Sequence, residues 1–180
     1  MTNSIRHKCF ISYHHGDSSG LEGDKNAVES FITTYSAHHD IFISRAVGID
    51  QEIIDSNNSD YIMRRIRERY LTDSTVTIVM IGRCTWARKY VDWEIASSLR
   101  NDQNNKRSGL LAIQLPNTPD STPLPPRFQD NLNSGYAKYY RFPSNPRDLE
   151  LMILEAFEAR NIKFHLVKND RELISNNRPC

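Results

Sequence analysis

Two unbroken apolar runs constrain this chain most: Thr75-Val76-Thr77-Ile78-Val79-Met80-Ile81-Gly82 and Leu110-Leu111-Ala112-Ile113-Gln114-Leu115. A strand that is apolar along its length must be covered on both faces, as in the interior of a parallel sheet. Shorter runs of the same kind occur at Cys9-Phe10-Ile11-Ser12-Tyr13, Ile41-Phe42-Ile43-Ser44 and Tyr136 to Phe142. Between them, apolar spacings of three and four predict helices: Ala27 to Tyr35, Asp60 to Tyr70 with Ile62 and Ile66, a helix through Val91, Ile95 and Leu99, and Arg147 to Arg160. Asn58 or Ser59 supplies a cap for the second of these. Strand and helix alternate, which implies parallel strands joined by helical crossovers. The expected fold is α/β and flavodoxin-like: a five-stranded parallel sheet in the order 2-1-3-4-5, flanked by helices on both faces. Its switch point lies between the first and third strands, so a ligand is expected where the residues after Tyr13 and after Gly82 converge.

Composition removes several classes of function. The 180 residues suit one domain, and 23 Lys plus Arg against 22 Asp plus Glu leave a net charge of +1. That balance argues against a nucleic-acid binder; the arginines between Arg64 and Arg69 complement the dipole of a helix that starts at Asp60. No window approaches the roughly 18 apolar residues of a membrane span, and Met1 to Lys8 leads into no signal-peptide core. Cys9, Cys84 and Cys180 lie too far apart in sequence to suggest a disulfide framework or a metal clip. Together these features lead us to expect a soluble, cytoplasmic protein. The stretch Asn117 to Asn133, with Pro119, Pro123, Pro125 and Pro126, is expected to be irregular. A domain spanning 1–160 is then followed by a polar extension, 161–180, expected to fray.

Two segments carry candidate chemistry. In Thr85-Trp86-Ala87-Arg88-Lys89-Tyr90-Val91-Asp92-Trp93-Glu94, a helix that turns Val91 and Ile95 to the sheet places Tyr90 and Glu94 on a neighbouring face. Helical side chains lean toward the helix N-terminus, so Glu94 would aim at the switch point, where a carboxylate can bind a ribose diol or stabilise positive charge. Spacing alone equally describes, and by itself favours, a surface glutamate paired with Arg88 or Lys89. The segment Ser12-Tyr13-His14-His15-Gly16-Asp17 can wrap a phosphate or a base, or be an ordinary solvated loop. It contains no Walker or dinucleotide glycine pattern, and adjacent histidines lack metal-ligand spacing, so no metal is expected. Ser12, Ser44 and Ser97 sit in no nucleophile elbow. A phosphorylation-type receiver would need an acidic cluster where Asp17 stands alone.

These same residues resemble a known family. Phe10-Ile11-Ser12-Tyr13 resembles the first strand of TIR domains, Ile41 to Ser44 their second strand, and Tyr90 to Glu94 their Trp-x-x-x-Glu pattern with tyrosine leading. Asp60 to Arg67, Val76 to Gly82 and Arg88 to Ile95 narrow the likeness to the TIR-like proteins of bacterial Thoeris anti-phage operons, the ThsB type, over roughly residues 5 to 160. The resemblance implies an enzyme of the NAD+ nucleosidase or ADP-ribosyl cyclase kind. It would cleave the nicotinamide–ribose bond and release a cyclic ADP-ribose isomer that activates a ThsA-like effector, depleting NAD+ in the infected cell. NAD+ is then a substrate, and no cofactor is needed. Carried over by motif, Glu94 is catalytic, while Tyr13, His14, His15, Tyr90 and Trp86 border the substrate. Homo-oligomerisation on activation is part of the same implication. The alternative is a non-catalytic TIR-like module for protein–protein interaction. Tyrosine at 90 and Ser44 in place of an acidic residue depart from the family pattern, so no residue of the loop after the second strand is carried over.

Overall fold

A computed structural model describes residues 6–16, 23–44, 58–103 and 105–180 of the chain. Residues 1–5, 17–22 (Asp17 among them), 45–57 and 104 lie outside the described residues. The strands are β1 (His7–Ser12), β2 (Phe42–Ser44), β3 (Val76–Ile81), β4 (Gly109–Gln114) and β5 (Lys138–Tyr140). They form one five-stranded sheet ordered β2-β1-β3-β4-β5, and all four pairings are parallel. β3 and β4 are buried at every residue, as unbroken apolar runs require.

The helices are α1 (Lys25–Ile32), α2 (Ser59–Ile66), α3 (Lys89–Leu99), α4 (Pro126–Asn133) and α5 (Pro146–Ile162). Strand alternation assigns them to faces. Cys9, Ile11 and Tyr13 of β1 and its exit pack with Val28 and Phe31 of α1 and with Leu149 and Ile153 of α5. On the other face, Val79 and Ile81 meet Val91, Ile95 and Leu99 of α3 and Phe128 of α4. There too Phe10 joins Ile62 and Ile66 of α2 and Trp93 of α3. Asn58 caps α2 by accepting from the Tyr61 amide at 3.0 Å. Beyond Ile32 and Ile66 both helices run on as π-helical turns, Thr33–His38 and Arg67–Leu71. Gly109 lets α5 approach the start of β4, because a Cβ there would come within 2.1 Å of the Ala156 carbonyl oxygen. Among the described residues no helix is long and apolar enough to cross a membrane.

Three expectations are corrected. The proline-rich stretch is not irregular throughout: α4 occupies its second half and begins on Pro126. Proline at the first helical position loses no hydrogen bond, since that N–H has no intrahelical partner.

The polar C-terminal segment does not fray. After a 3-10 turn at Phe164–Leu166 it runs back across α4 and α3, held by polar contacts as well as by Leu166, Val167, Leu173 and the buried Ile174, which pack on the core. Asn131 donates to the Lys168 carbonyl and accepts from its amide, Asn169 donates to the Ala96 carbonyl, and the Trp93 indole donates to the Ile174 carbonyl at 2.9 Å.

Nor are all the cysteines free: Cys84 and Cys180 are disulfide-bonded across a sequence separation of 96, with Cα atoms 5.6 Å apart, and only Cys9 is a thiol. Distance along the chain said nothing of distance in space once the tail returned, and the cysteine count no longer argues for a reducing compartment. Closing a loop of about 100 residues is worth on the order of 4–5 kcal/mol in the chain-entropy limit. The oxidised protein should therefore melt higher than the reduced one, and Cys180→Ser should abolish the sensitivity to reductant. Identical melts with and without reductant, with both thiols open to alkylation, would show that the bond does not form.

Candidate active site

The site is built where β1 ends. Ser12 shares its strand face with Phe10, toward α3, and is fully buried. Glu94, one turn beyond the first residues of α3, leans back over the sheet edge, and Ser12 Oγ donates to its Oε2 at 2.5 Å. Glu94 is only 2% exposed. Burial pushes its carboxyl up to about 8, with the Ser12 hydroxyl pulling the other way. The carboxyl is therefore held largely protonated at neutral pH.

The surface alternative for Glu94 is overturned by its burial, and its two expected partners make other contacts. Arg88 donates to the Cys84 and Arg178 carbonyls, and Lys89 Nζ lies over the rings of Tyr90 and Trp93, 4.9 and 5.5 Å from their centroids.

Tyr13, His14 and His15 continue from the same strand end. Tyr13 and His15 are in tilted ring contact, with centroids 3.8 Å apart. Burial, and after it the carboxylates of Glu29 and Glu94, push the Tyr13 phenol up to about 12, so it remains a donor. Burial, with His14 and Lys25 nearby, lowers His15 to about 4, leaving a neutral imidazole whose Nε2 is buried without a hydrogen bond. His14 is buried, and its carbonyl accepts from the Asp24 amide at 2.7 Å. Alternation turns Tyr13 to the α1 face, where it meets His15, yet the Glu94 charge still reaches its phenol across the strand end.

Tyr90 and Trp86 are placed differently. Tyr90 meets Trp93 edge-on, centroids 5.5 Å apart, and packs toward the α2 cluster. Trp86 sits half-buried in the 3-10 turn Thr85–Ala87 that leads from β3 into α3. Two clefts among the described residues lie away from Glu94: one of about 550 Å³ under the tail, lined by Pro126 and residues 171–179, and one of about 540 Å³ at Asn58, Asp60, Tyr61 and Arg64.

Two features escaped sequence reasoning. Ser12 reads as one serine among many; its period-two alternation with Phe10 was the available signal. Asp92 and Arg127 form a fully buried ion pair at 2.9 Å beneath α3, and nothing in the local sequence around Arg127 announces burial.

The family model of the Thoeris protein ThsB, TIR-like domain, matches residues 10–120. That span runs from the second half of β1 through β4 and holds the whole of α3 with Glu94. The chain belongs to this family. No curated protein matches it. Membership in the ThsB family gives the chain a role in anti-phage defence as part of a Thoeris system. The matched span holds both halves of the Ser12–Glu94 contact, so the two segments that meet at the sheet edge belong to the ThsB-like part of the chain.

Proposed function

We propose that the protein is a signalling enzyme that cleaves the nicotinamide–ribose bond of NAD+ and closes the ADP-ribosyl product into a cyclic isomer. The observation that carries this reading is the Glu94 carboxyl, buried at the carboxyl edge of β1 and oriented by the Ser12 hydroxyl. Departure of nicotinamide takes the bonding electron pair with it and leaves an oxocarbenium-like centre at the ribose. Ionised Glu94 stabilises that charge in a site shielded from water, where electrostatic effects are strongest. The pyridinium leaves as neutral nicotinamide, so no proton need be supplied to it. A nucleophilic atom of the same bound dinucleotide then forms the new bond to the ribose carbon, losing its proton if it bears one; water admitted instead would yield linear ADP-ribose.

Tyr13, His14 and His15 border the substrate from the β1 exit, and Tyr90 and Trp86 supply aromatic surface beside the helix. The positively charged nicotinamide ring lowers the carboxyl of Glu94 on binding and drives out its proton. The product is a diffusible signal to a ThsA-like effector in the cytoplasm, and homo-oligomerisation accompanies activation.

The test is incubation of purified protein with NAD+, alone and with extract of phage-infected cells, followed by mass spectrometry. Free nicotinamide and a product one water lighter than ADP-ribose are expected. Because the carboxylate form is the active one, kcat/KM should rise with pH and level off above about 8, the value to which burial raises Glu94. A profile flat from pH 6 to 9 would remove Glu94 from the chemistry. If neither product forms under either condition while the protein is folded, the interaction-module reading takes over. The exposed Leu151 and Leu154 of α5, with Ile162 and Phe164, are the surface that favours it.

A further inference from the structure

Asp24 occupies the cap position of α1, yet its side chain makes no capping hydrogen bond. An aspartate there ordinarily bonds the helix's free amides and stabilises it. Instead the carboxylate turns across the sheet edge onto the end of β3. It lies so close to Gly82 that a Cβ at that position would fall 2.1 Å from Oδ2 and 2.3 Å from Oδ1, so only glycine admits it. Thr85 Oγ1 accepts from the Gly82 amide at 2.9 Å and donates its proton to the Met80 carbonyl at 3.2 Å; burial raises the Asp24 carboxyl to about 6, with the nearby Thr85 hydroxyl pulling the other way. Oδ2 is shielded from solvent and has no hydrogen-bond partner, although the residue as a whole is only partly buried. The Asp24 amide bonds the His14 carbonyl, two residues past Ser12. Asp24, above the α1 face, and Glu94, above the α3 face, therefore flank the carboxyl ends of β1 and β3 from opposite sides.

A carboxylate that gives up its cap and keeps one oxygen shielded and unpaired is set for an external donor. It repels phosphate and selects the hydroxyl or amino groups of a ligand. In dinucleotide-binding Rossmann sheets a carboxylate near the carboxyl edge pairs with a ribose hydroxyl, which shows the chemistry such a group can do there.

We propose that Asp24 is a second substrate-binding carboxylate of this site, accepting a hydrogen bond from a ribose hydroxyl of the bound dinucleotide through Oδ2. The inference rests on the NAD+ reading above. It is tested by titration calorimetry with NAD+ and with ADP-ribose, using Glu94→Gln protein so that NAD+ is not consumed, with and without Asp24→Ala.

Loss of one hydrogen bond to a charged group should weaken both ligands roughly 10- to 100-fold. The melting temperature should hold, because the side chain caps nothing; if Asp24→Ala does not fold, Asp24→Asn, which keeps the side-chain shape and removes the charge, replaces it. Glu94→Gln protein that binds neither ligand overturns the NAD+ reading and this inference with it. Ligands bound equally with and without Asp24 overturn the inference alone. Weakening of NAD+ but not of ADP-ribose would put the donor on the nicotinamide carboxamide and overturn the ribose assignment.

Discussion

Glu94→Gln should abolish product formation and at the same time make the protein more stable. Removing a group that stabilises developing charge typically costs at least about a hundredfold in rate. The opposite sign for stability follows from burial. The carboxyl is raised from 4.5 to about 8 in the folded chain, so the folded state holds a proton that the unfolded state gives up. Stability is therefore greatest below about pH 4.5 and falls as pH rises toward 8, where the penalty of an ionised, desolvated carboxylate is complete. Near neutral pH that penalty is on the order of 3 kcal/mol. Glutamine keeps the shape and can still accept from the Ser12 hydroxyl, but does not titrate. The variant should match wild type near pH 4 and melt several degrees higher at pH 8, at roughly 2–4 °C per kcal/mol for a chain of this size. Wild-type and variant melts that coincide across that range would place Glu94 in contact with water. Retained activity in the variant would end the enzymatic reading.

The second large effect lies beneath the site. Arg127 is 1% exposed and serves Asp92 with two bonds, from Nε at 2.9 Å and from Nη2 at 3.3 Å. It also donates to the Asn169 side chain and to the Arg171 carbonyl, while Asp92 Oδ2 accepts from the Ile174 amide at 3.0 Å. One guanidinium thus holds the site helix, α4 and the tail together. Arg127→Ala leaves the Asp92 carboxylate buried without its counter-ion, and such orphaning costs about 3–5 kcal/mol. Denaturant midpoints should fall accordingly, and the Ile174 amide should lose protection from hydrogen exchange. Lysine cannot reproduce the fork and should rescue little. Joint replacement, Asp92→Leu with Arg127→Met, should recover most of the loss, since it removes both charges. An Arg127→Ala protein of wild-type stability would show that the tail and its network are not part of the folded unit.

Much of the frame was legible from residue order. Val76–Ile81 and Gly109–Gln114 had to be central because nothing polar interrupts them, and helical spacings between strands forced parallel crossovers and hence a switch point at β1 and β3. The likelihood of chemistry at Glu94 was legible only as a choice, because i and i+4 spacing describes a solvated face as well as a buried one.

Local sequence could not reveal what long-range contact decides. Pro126 as a helix start, Arg127 as a buried ion, Asp24 turned off its cap and Cys84 beside Cys180 each depend on a partner dozens of residues away or on the room left by a glycine. The polar tail is the fullest case. Its composition predicts fraying, and it is ordered because the hydrogen-bonding groups of α3 and α4 meet its backbone while Leu166, Val167, Leu173 and Ile174 pack on the core and Cys180 bonds to Cys84. Periodicity records which side of an element is apolar, and so the sequence by itself determined the layers and the order of the strands. The partners of polar groups are set only when the layers close, and so the tertiary structure alone decided which carboxylates at the sheet edge are buried, paired or left open to a ligand.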